Sequence, residues 1–471
     1  MECNAFTDAE TSTTLCCDSL DSRLRGSDGV FRMWFSRDAL PVGGVIALNG
    51  IRKGANFKAS DLPSNAGREA VSLVAEDGGA SRGILYTSAG RVSKVGVHLM
   101  HPNTDQAQNY NIPPLVKAGY TVLGRGGRWV NNDVASIQEK LLLDIAAGVK
   151  LLRERGCEQV VLLGSARGGP LAALYQREAR KSPPHRLTDT AAGDSFDLNQ
   201  YDLPPADAIA LIGPHMGGAY SLLKWIDPSV TDESDALAGN TSLDMYDPAN
   251  GFRIPPQPSH YATEFVTRYR AAQAARVQRL DRIARSRIAR RREAGRQAKE
   301  LAAAGRNGAE LRRLQRIASM PDHLRIYRMV ADPAFCDPTI EPDDRDVCSF
   351  ENDPRPDLMN DGPGYAHFLK PEAFLSTWSE LSTRTRTAEC LREVPDPLLV
   401  VHYAGDSGTR ISEARQMFDA SPAADKAFVL VRNADHYGFR ILGLHQRGDR
   451  VAEGTDAVVA WMKVRFPCRF T

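Results

Sequence analysis

Val160-Val-Leu-Leu-Gly-Ser-Ala-Arg-Gly-Gly169, continued by Pro170-Leu-Ala-Ala-Leu-Tyr175, is the stretch whose reading decides the fold. Residues 160–163 form an apolar run of strand length, and an apolar segment of helical period begins at Pro170. Gly164-Ser165-Ala166-Arg167-Gly168 is therefore a tight strand-to-helix turn. Its glycines have a mechanical reason. The central residue of such a turn sits at strained dihedrals, and side chains on its flanks would collide with the strand and helix beside it. Two readings fit the pentapeptide alone: a Gly-rich turn, structural or phosphate-binding, or a turn that presents a reactive side chain at its centre.

Outward from this turn, strands and helices alternate. Ala70-Val-Ser-Leu-Val-Ala75 and Gly83-Ile-Leu-Tyr-Thr87 flank the turn-rich Glu76-Asp-Gly-Gly79 and predict a hairpin. Val95-Gly-Val-His-Leu-Met100 predicts a buried strand that runs into His101-Pro-Asn-Thr-Asp105; within it, His98 reads as structural. A short helix is expected over Asn111 to Gly119, then a strand at Tyr120-Thr-Val-Leu123. Leu141, Leu142, Ile145, Val149 and Leu152 recur with a helical period before the strand that begins at Val160. Asp207-Ala-Ile-Ala-Leu-Ile212 follows as a sixth strand. The last sheet signals are Pro397-Leu-Leu-Val-Val-His-Tyr403 and Lys426-Ala-Phe-Val-Leu-Val431, with helices at Ser412 to Phe418 and Asp456 to Phe466. Such alternation implies βαβ crossovers and a mostly parallel sheet.

The pattern breaks between the sixth and seventh strands. A helical stretch from Tyr261 to Lys299 carries an apolar face of Val277, Leu280, Ile283, Ala284 and Ile288. Gly305-Arg-Asn-Gly308 ends it, and Leu311, Leu314 and Ile317 resume a second helix, giving a helical hairpin. Residues 268–316 hold fifteen arginines. A basic helix suits a nucleic-acid or membrane surface, but more often it is a solvated face or one paired with acids, and 332–361 is acidic. The whole chain nearly balances, with 59 basic and 58 acidic residues and a formal charge of +1. Arginines paired within the protein, or serving a subunit contact such as a homodimer through this insertion, are therefore expected, and no nucleic-acid partner.

At 471 residues the chain can bury a large core. No run of 18 apolar residues suggests a membrane span. Residues 1–28 are polar and aperiodic, without the basic and apolar regions of a signal peptide, so a cytoplasmic location is expected. None of the eight cysteines has metal-site spacing, and no metal or cofactor is expected. Cys336 and Cys348 could pair if the chain were exported; in the cytoplasm reduced thiols are expected.

Three loops at the C-terminal ends of predicted strands carry the chemistry, where open α/β sheets form their sites. They are the turn with Ala166, Ala404-Gly-Asp406-Ser-Gly408, and Arg432-Asn-Ala-Asp-His436-Tyr-Gly438. The first is the nucleophile-elbow pattern G-x-S-x-G with alanine for serine, and the order nucleophile, acid, histidine resembles that of the α/β-hydrolases. The resemblance spans about 68–226 and 394–466 and implies a mostly parallel central sheet flanked by helices, with a large helical cap inserted after the sixth strand. The domains then run 1–66 (extension and lead-in), 67–227 and 394–471 (the two parts of the core), and 228–393 (cap).

From that resemblance each residue acquires an expected role. A hydroxyl attacks at neutral pH only when a base takes its proton, and His436 is the candidate base. Asp406 would fix its tautomer and stabilise the imidazolium; Asp435 is a rival acid whose adjacency to His436 makes pairing awkward. Oxyanion donors are expected from the backbone of Arg167 and from Asn103, because Pro102 has no N–H. His101, Trp129 and His215 are expected at the substrate pocket, with Arg125 and Arg128 near its mouth. The implied activity is hydrolysis of a carboxylic ester of a small organic substrate. A C–C hydrolase or amidase on the same triad, and a non-catalytic ligand-binding relative, are the alternatives. With alanine at 166 the given chain is expected to be inactive, and an engineered Ser→Ala replacement is favoured over natural loss because the surroundings are intact.

Overall fold

Eight segments bounded by turns become the strands of one sheet in a computed structural model that describes residues 56–350, 355–362, 366–443 and 446–470. The polar extension and most of the lead-in expected over 1–66 lie outside the described residues. The strands are β1 (Gly67–Val74), β2 (Ala80–Thr87), β3 (Val95–Leu99), β4 (Thr121–Arg125), β5 (Gln159–Ser165), β6 (Ala208–Ile212), β7 (Leu398–Tyr403) and β8 (Lys426–Val431). Their spatial order is β1-β2-β4-β3-β5-β6-β7-β8. Only the pairings of β2, with β1 and with β4, are antiparallel; the others are parallel. A mostly parallel eight-stranded sheet with helices on both faces and an elbow after its fifth strand is the α/β-hydrolase fold.

Period-two alternation explains why the central strands read as unbroken apolar runs. Val160 and Leu162 point into a core layer with Leu141, Ile145, Val149 and Leu171, from the helices α2 (Gln138–Glu154) and α3 (Gly168–Arg180). Val161 and Leu163 point the other way, towards α1 (Ile112–Lys117) and the C-terminal helix Glu453–Arg465 through Leu115, Val458 and Met462. Each of those four strand side chains is at most 2% exposed, a burial worth about 1.5–3 kcal/mol apiece.

Beyond β6 come α4 (Gly218–Trp225), the 41-residue α5 (Thr263–Ala303) and α6 (Ala309–Ser319). Gly305 and Gly308, at φ +68° and +159°, make the turn between the last two. Val277, Leu280, Ala284 and Ile288 on α5 pack with Leu222 and Trp378, and Ala294 and Ala298 pack with Leu311 and Leu314 of α6. Many arginines of this hairpin meet acids of the same chain. Arg276 and Arg279 reach Glu233 at 2.9 and 2.7 Å, Arg291 reaches Glu372 at 2.7 Å, Arg292 reaches Asp194 at 2.7 Å, and Arg290 pairs with Asp322. No helix among the described residues is long and apolar enough to cross a membrane.

Candidate active site

The elbow's glycines are dictated by what surrounds them. A Cβ on Gly164 would lie 2.8 Å from the Cα of Gly169, and one on Gly168 would lie 2.7 Å from the carbonyl oxygen of Met100. Backbone-to-backbone approaches this close leave room for hydrogen only. Ala166, between them, has φ +49°, a left-handed conformation that costs an ordinary residue about 1–2 kcal/mol. Its N–H donates to Ile212 O at 3.3 Å, and its carbonyl accepts from the N–H of His215 at 3.2 Å. The last residue of β6 and the loop after it thus hold both backbone polar groups of the strained residue. Ser165 ends β5 in register with Ile212.

His436 and Asp406 come from the loops after β8 and β7. The Nδ1 of His436 is 2.6 Å from Oδ2 of Asp406, and both side chains are almost fully buried. The other carboxylate oxygen of Asp406 accepts from the N–H groups of Gly408 (2.8 Å) and Thr409 (3.1 Å). Burial by itself would raise the pKa of Asp406, but its interaction with His436, supplemented by His402 and His215, holds it down at about 2. An ionised carboxylate on Nδ1 selects the tautomer with its proton there and leaves Nε2 as the basic nitrogen. His402, inside β7 and wholly buried, is lowered to about 4 by desolvation and so stands neutral behind this pair.

Asp435 has other work. Its Oδ1 accepts from the N–H groups of Tyr437 (3.0 Å) and Phe439 (2.9 Å), and its Oδ2 pairs with Arg447 at 2.9 Å. It shapes the turn that carries His436. Arg447 belongs to a hairpin, Phe439–Gly443 with Gln446–Arg450, that the sequence did not disclose. His215 is brought close: its ring centroid is 5.1 Å from that of His436, edge to face.

The loop after β3 is wired differently from expectation. The N–H of Asn103, expected as an oxyanion donor, points at Nδ1 of His101 (3.3 Å), which also accepts from Thr104 at 3.1 Å. The Asn103 carboxamide binds Asp133 through its nitrogen, and its oxygen accepts from Arg167 at 2.6 Å. The Arg167 guanidinium lies 5.0 Å over the Trp378 ring. Asp133 and Trp378, which sequence reasoning missed, thus fix the side chain that follows the elbow residue. Their partnership joins segments remote in sequence, so no local pattern could have signalled it.

Arg125 and Arg128 do not line the mouth. Arg125 is fully buried and donates to Asp144 O at 2.7 Å, and Arg128 forms ion pairs with Asp77 and Asp144, both at 2.6 Å. Trp129 packs on the core layer that contains Leu141, with the Arg128 guanidinium 5.6 Å from its ring. Among the described residues no group of three or more His, Cys, Asp and Glu side chains is placed to hold a metal ion.

No protein-family model matches the chain, and no curated protein matches it. Solved structures similar to it include the α/β hydrolase GrgF from Penicillium sp. sh18 (13% identical, covering 84% of this chain and 98% of that chain, TM-score 0.40). Est1E from Butyrivibrio proteoclasticus is 12% identical, with coverage of 84% and 98% and a TM-score of 0.40. The Pyrococcus furiosus esterase Pf2001 is 11% identical, with coverage of 87% and 95% and a TM-score of 0.39.

Proposed function

We propose that this chain carries the machinery of a serine hydrolase acting on carboxylic esters of small organic molecules, with position 166 as the nucleophile position. The observation that supports this reading most is the buried His436–Asp406 pair at 2.6 Å, tied through His215 to an elbow residue at φ +49°. A serine hydroxyl at 166 would attack the ester carbonyl while Nε2 of His436 takes its proton. Asp406 would hold the imidazolium that forms. The backbone N–H of Arg167 would donate to the tetrahedral oxyanion. A second donor would come from the His101–Asn103 loop once the long bond between Asn103 N–H and His101 opens to admit substrate. The returning proton then expels the alcohol, and a water repeats the cycle on the acyl-enzyme.

As the sequence stands, the methyl of Ala166 cannot attack. The chain therefore binds substrate without forming an acyl-enzyme, and only a water deprotonated by His436 supplies residual turnover. That same alanine favours a second reading, a ligand-binding relative with no catalytic role. Turnover of a panel of aryl and alkyl esters, amides and vinylogous C–C substrates by the present chain and by Ala166→Ser separates the two. Triad knockouts cost on the order of 10⁶-fold in turnover, about 8 kcal/mol of barrier, so the serine form should gain several orders of magnitude on one class. No gain on any class removes the nucleophile assignment and leaves the binding reading.

A further inference from the structure

Cys336 and Cys348 stand at the two ends of one loop, and that loop touches both loops of the candidate site. Each cysteine is fully buried, and their sulfurs are in contact at 2.7 Å. Between them, the N–H of Asp344 donates to Ala404 O at 3.0 Å, two residues before Asp406. The carboxylate of Asp344 accepts from the N–H of Asn433 at 2.8 Å and pairs with Arg432 at 2.8 Å, just before His436. Asp346 pairs with Arg447 at 2.6 Å, the arginine that also holds Asp435. The loop is braced internally by Arg345, whose guanidinium donates to the carbonyls of Ala334 (2.9 Å) and Ile340 (2.7 Å).

A second line of contacts leaves from beside the cysteines. Phe335 and Phe350 pack at 5.1 Å between centroids, Phe350 meets Trp225 at 4.9 Å, and Trp225 meets His215 at 5.9 Å. His215 in turn meets His436. The segment between the cysteines is thus a brace whose two ends converge on one pair of thiols.

We propose that Cys336 and Cys348 form a reversible disulfide that clasps this brace and rigidifies the loops bearing Asp406 and His436. The oxidant is a low-molecular-weight disulfide such as oxidised glutathione. One cysteine thiolate attacks it, releasing one small thiol and leaving a mixed disulfide; the second thiolate displaces the other. Two S–H bonds are replaced by one protein S–S bond, and the small disulfide is reduced to two thiols. Both sulfurs are buried, so the exchange waits on opening of the loop and is slow. The clasp does not depend on what position 166 does.

The test uses the full chain, incubated with oxidised or reduced glutathione and then analysed by peptide mapping without reduction and by thermal unfolding. A Cys336–Cys348 crosslinked peptide with a loss of 2 Da is expected, together with a rise in Tm of about 2–5 °C that dithiothreitol reverses. Cys348→Ser should show neither. Because dithiothreitol supplies its own control on the unaltered chain, the test stands even if that variant folds poorly. Thiols still free or carrying only glutathione after equilibration overturn the proposal. So does a crosslink to any other cysteine, or a Cys336–Cys348 crosslink that leaves Tm unchanged or lowers it.

Discussion

Acid should expose how tightly the Asp406 carboxylate is held. Its pKa falls from an ordinary 3.8 to about 2 in the folded chain, where His436 outweighs the opposing effect of burial. A depressed folded value means that the unfolded chain binds the proton first. The stabilisation is complete well above 3.8 and drains away as the pH falls through 2. At about 1.36 kcal/mol per pH unit the full contribution is about 2 kcal/mol, of which about half is lost by pH 3 and most by pH 2. Asp406→Asn removes the titrating group while keeping an oxygen for the N–H groups of Gly408 and Thr409. Urea unfolding followed by tryptophan fluorescence at pH 5, 4 and 3 should therefore show the unaltered chain losing about 1 kcal/mol more than the variant. Carboxylates remote from position 406 are common to both proteins and cancel in the difference, whereas His402, which the Asp406 charge raises, titrates lower in the variant and enters the contrast between the curves. Stability-against-pH curves that run parallel within about 0.3 kcal/mol, the usual tolerance for independent effects, would refute the pairing as an energetic fact.

Gly168→Ala drives a methyl against the Met100 carbonyl and should cost about 1–3 kcal/mol, seen as a lower Tm. Arg447→Ala strips the cation from two buried carboxylates, Asp435 and Asp346, and should lower the urea midpoint by an amount equivalent to about 3 kcal/mol. Leu280→Ala opens a cavity in the seam between α5 and its neighbours and should cost about 2–5 kcal/mol; an unchanged midpoint would mean that the seam collapses around the gap.

The sheet was legible because its central strands are covered on both faces, which forces apolar residues at every position of Val160–Leu163 and Ala208–Ile212. Long helices were legible for a related reason: Val277, Leu280, Ala284 and Ile288 keep one face inward over three turns. The hairpin after His436 was not. Phe439–Gly443 and Gln446–Arg450 are short and largely unburied, so no apolar alternation marks them. Position 166 was legible as the elbow's centre from two glycines, since the close approaches of Gly164 and Gly168 admit no substitute. Charged residues misled, because their types carry no partner. Arg125 and Arg128 follow a strand at the end where sites form, yet Asp144 from α2 claims both. Pro102 has no N–H and so directs attention to Asn103, and only the fold reveals that the His101 imidazole reaches the same N–H.

β6 and β7 are neighbours in the sheet, with Ile209 opposite Leu398, although everything from 213 to 397 lies between them in the chain. To the sheet, that whole excursion is a single parallel crossover, and geometry asks of a crossover only that it span a dozen or so residues and return on the correct side. The scaffold is therefore a socket. The segment between its two contacts could be shortened to one helix, or exchanged for a foreign one, while β6 and β7 keep their register, provided that Met216 and the stretch from Ala388 to Val394, which belong to the core layer of Val160 and Leu162, are retained. What such a graft would forfeit is the set of attachments the native segment sends back, among them Asp344 to Asn433 and Asp346 to Arg447. A chimera of this kind should fold with its sheet intact and its histidine loop adrift.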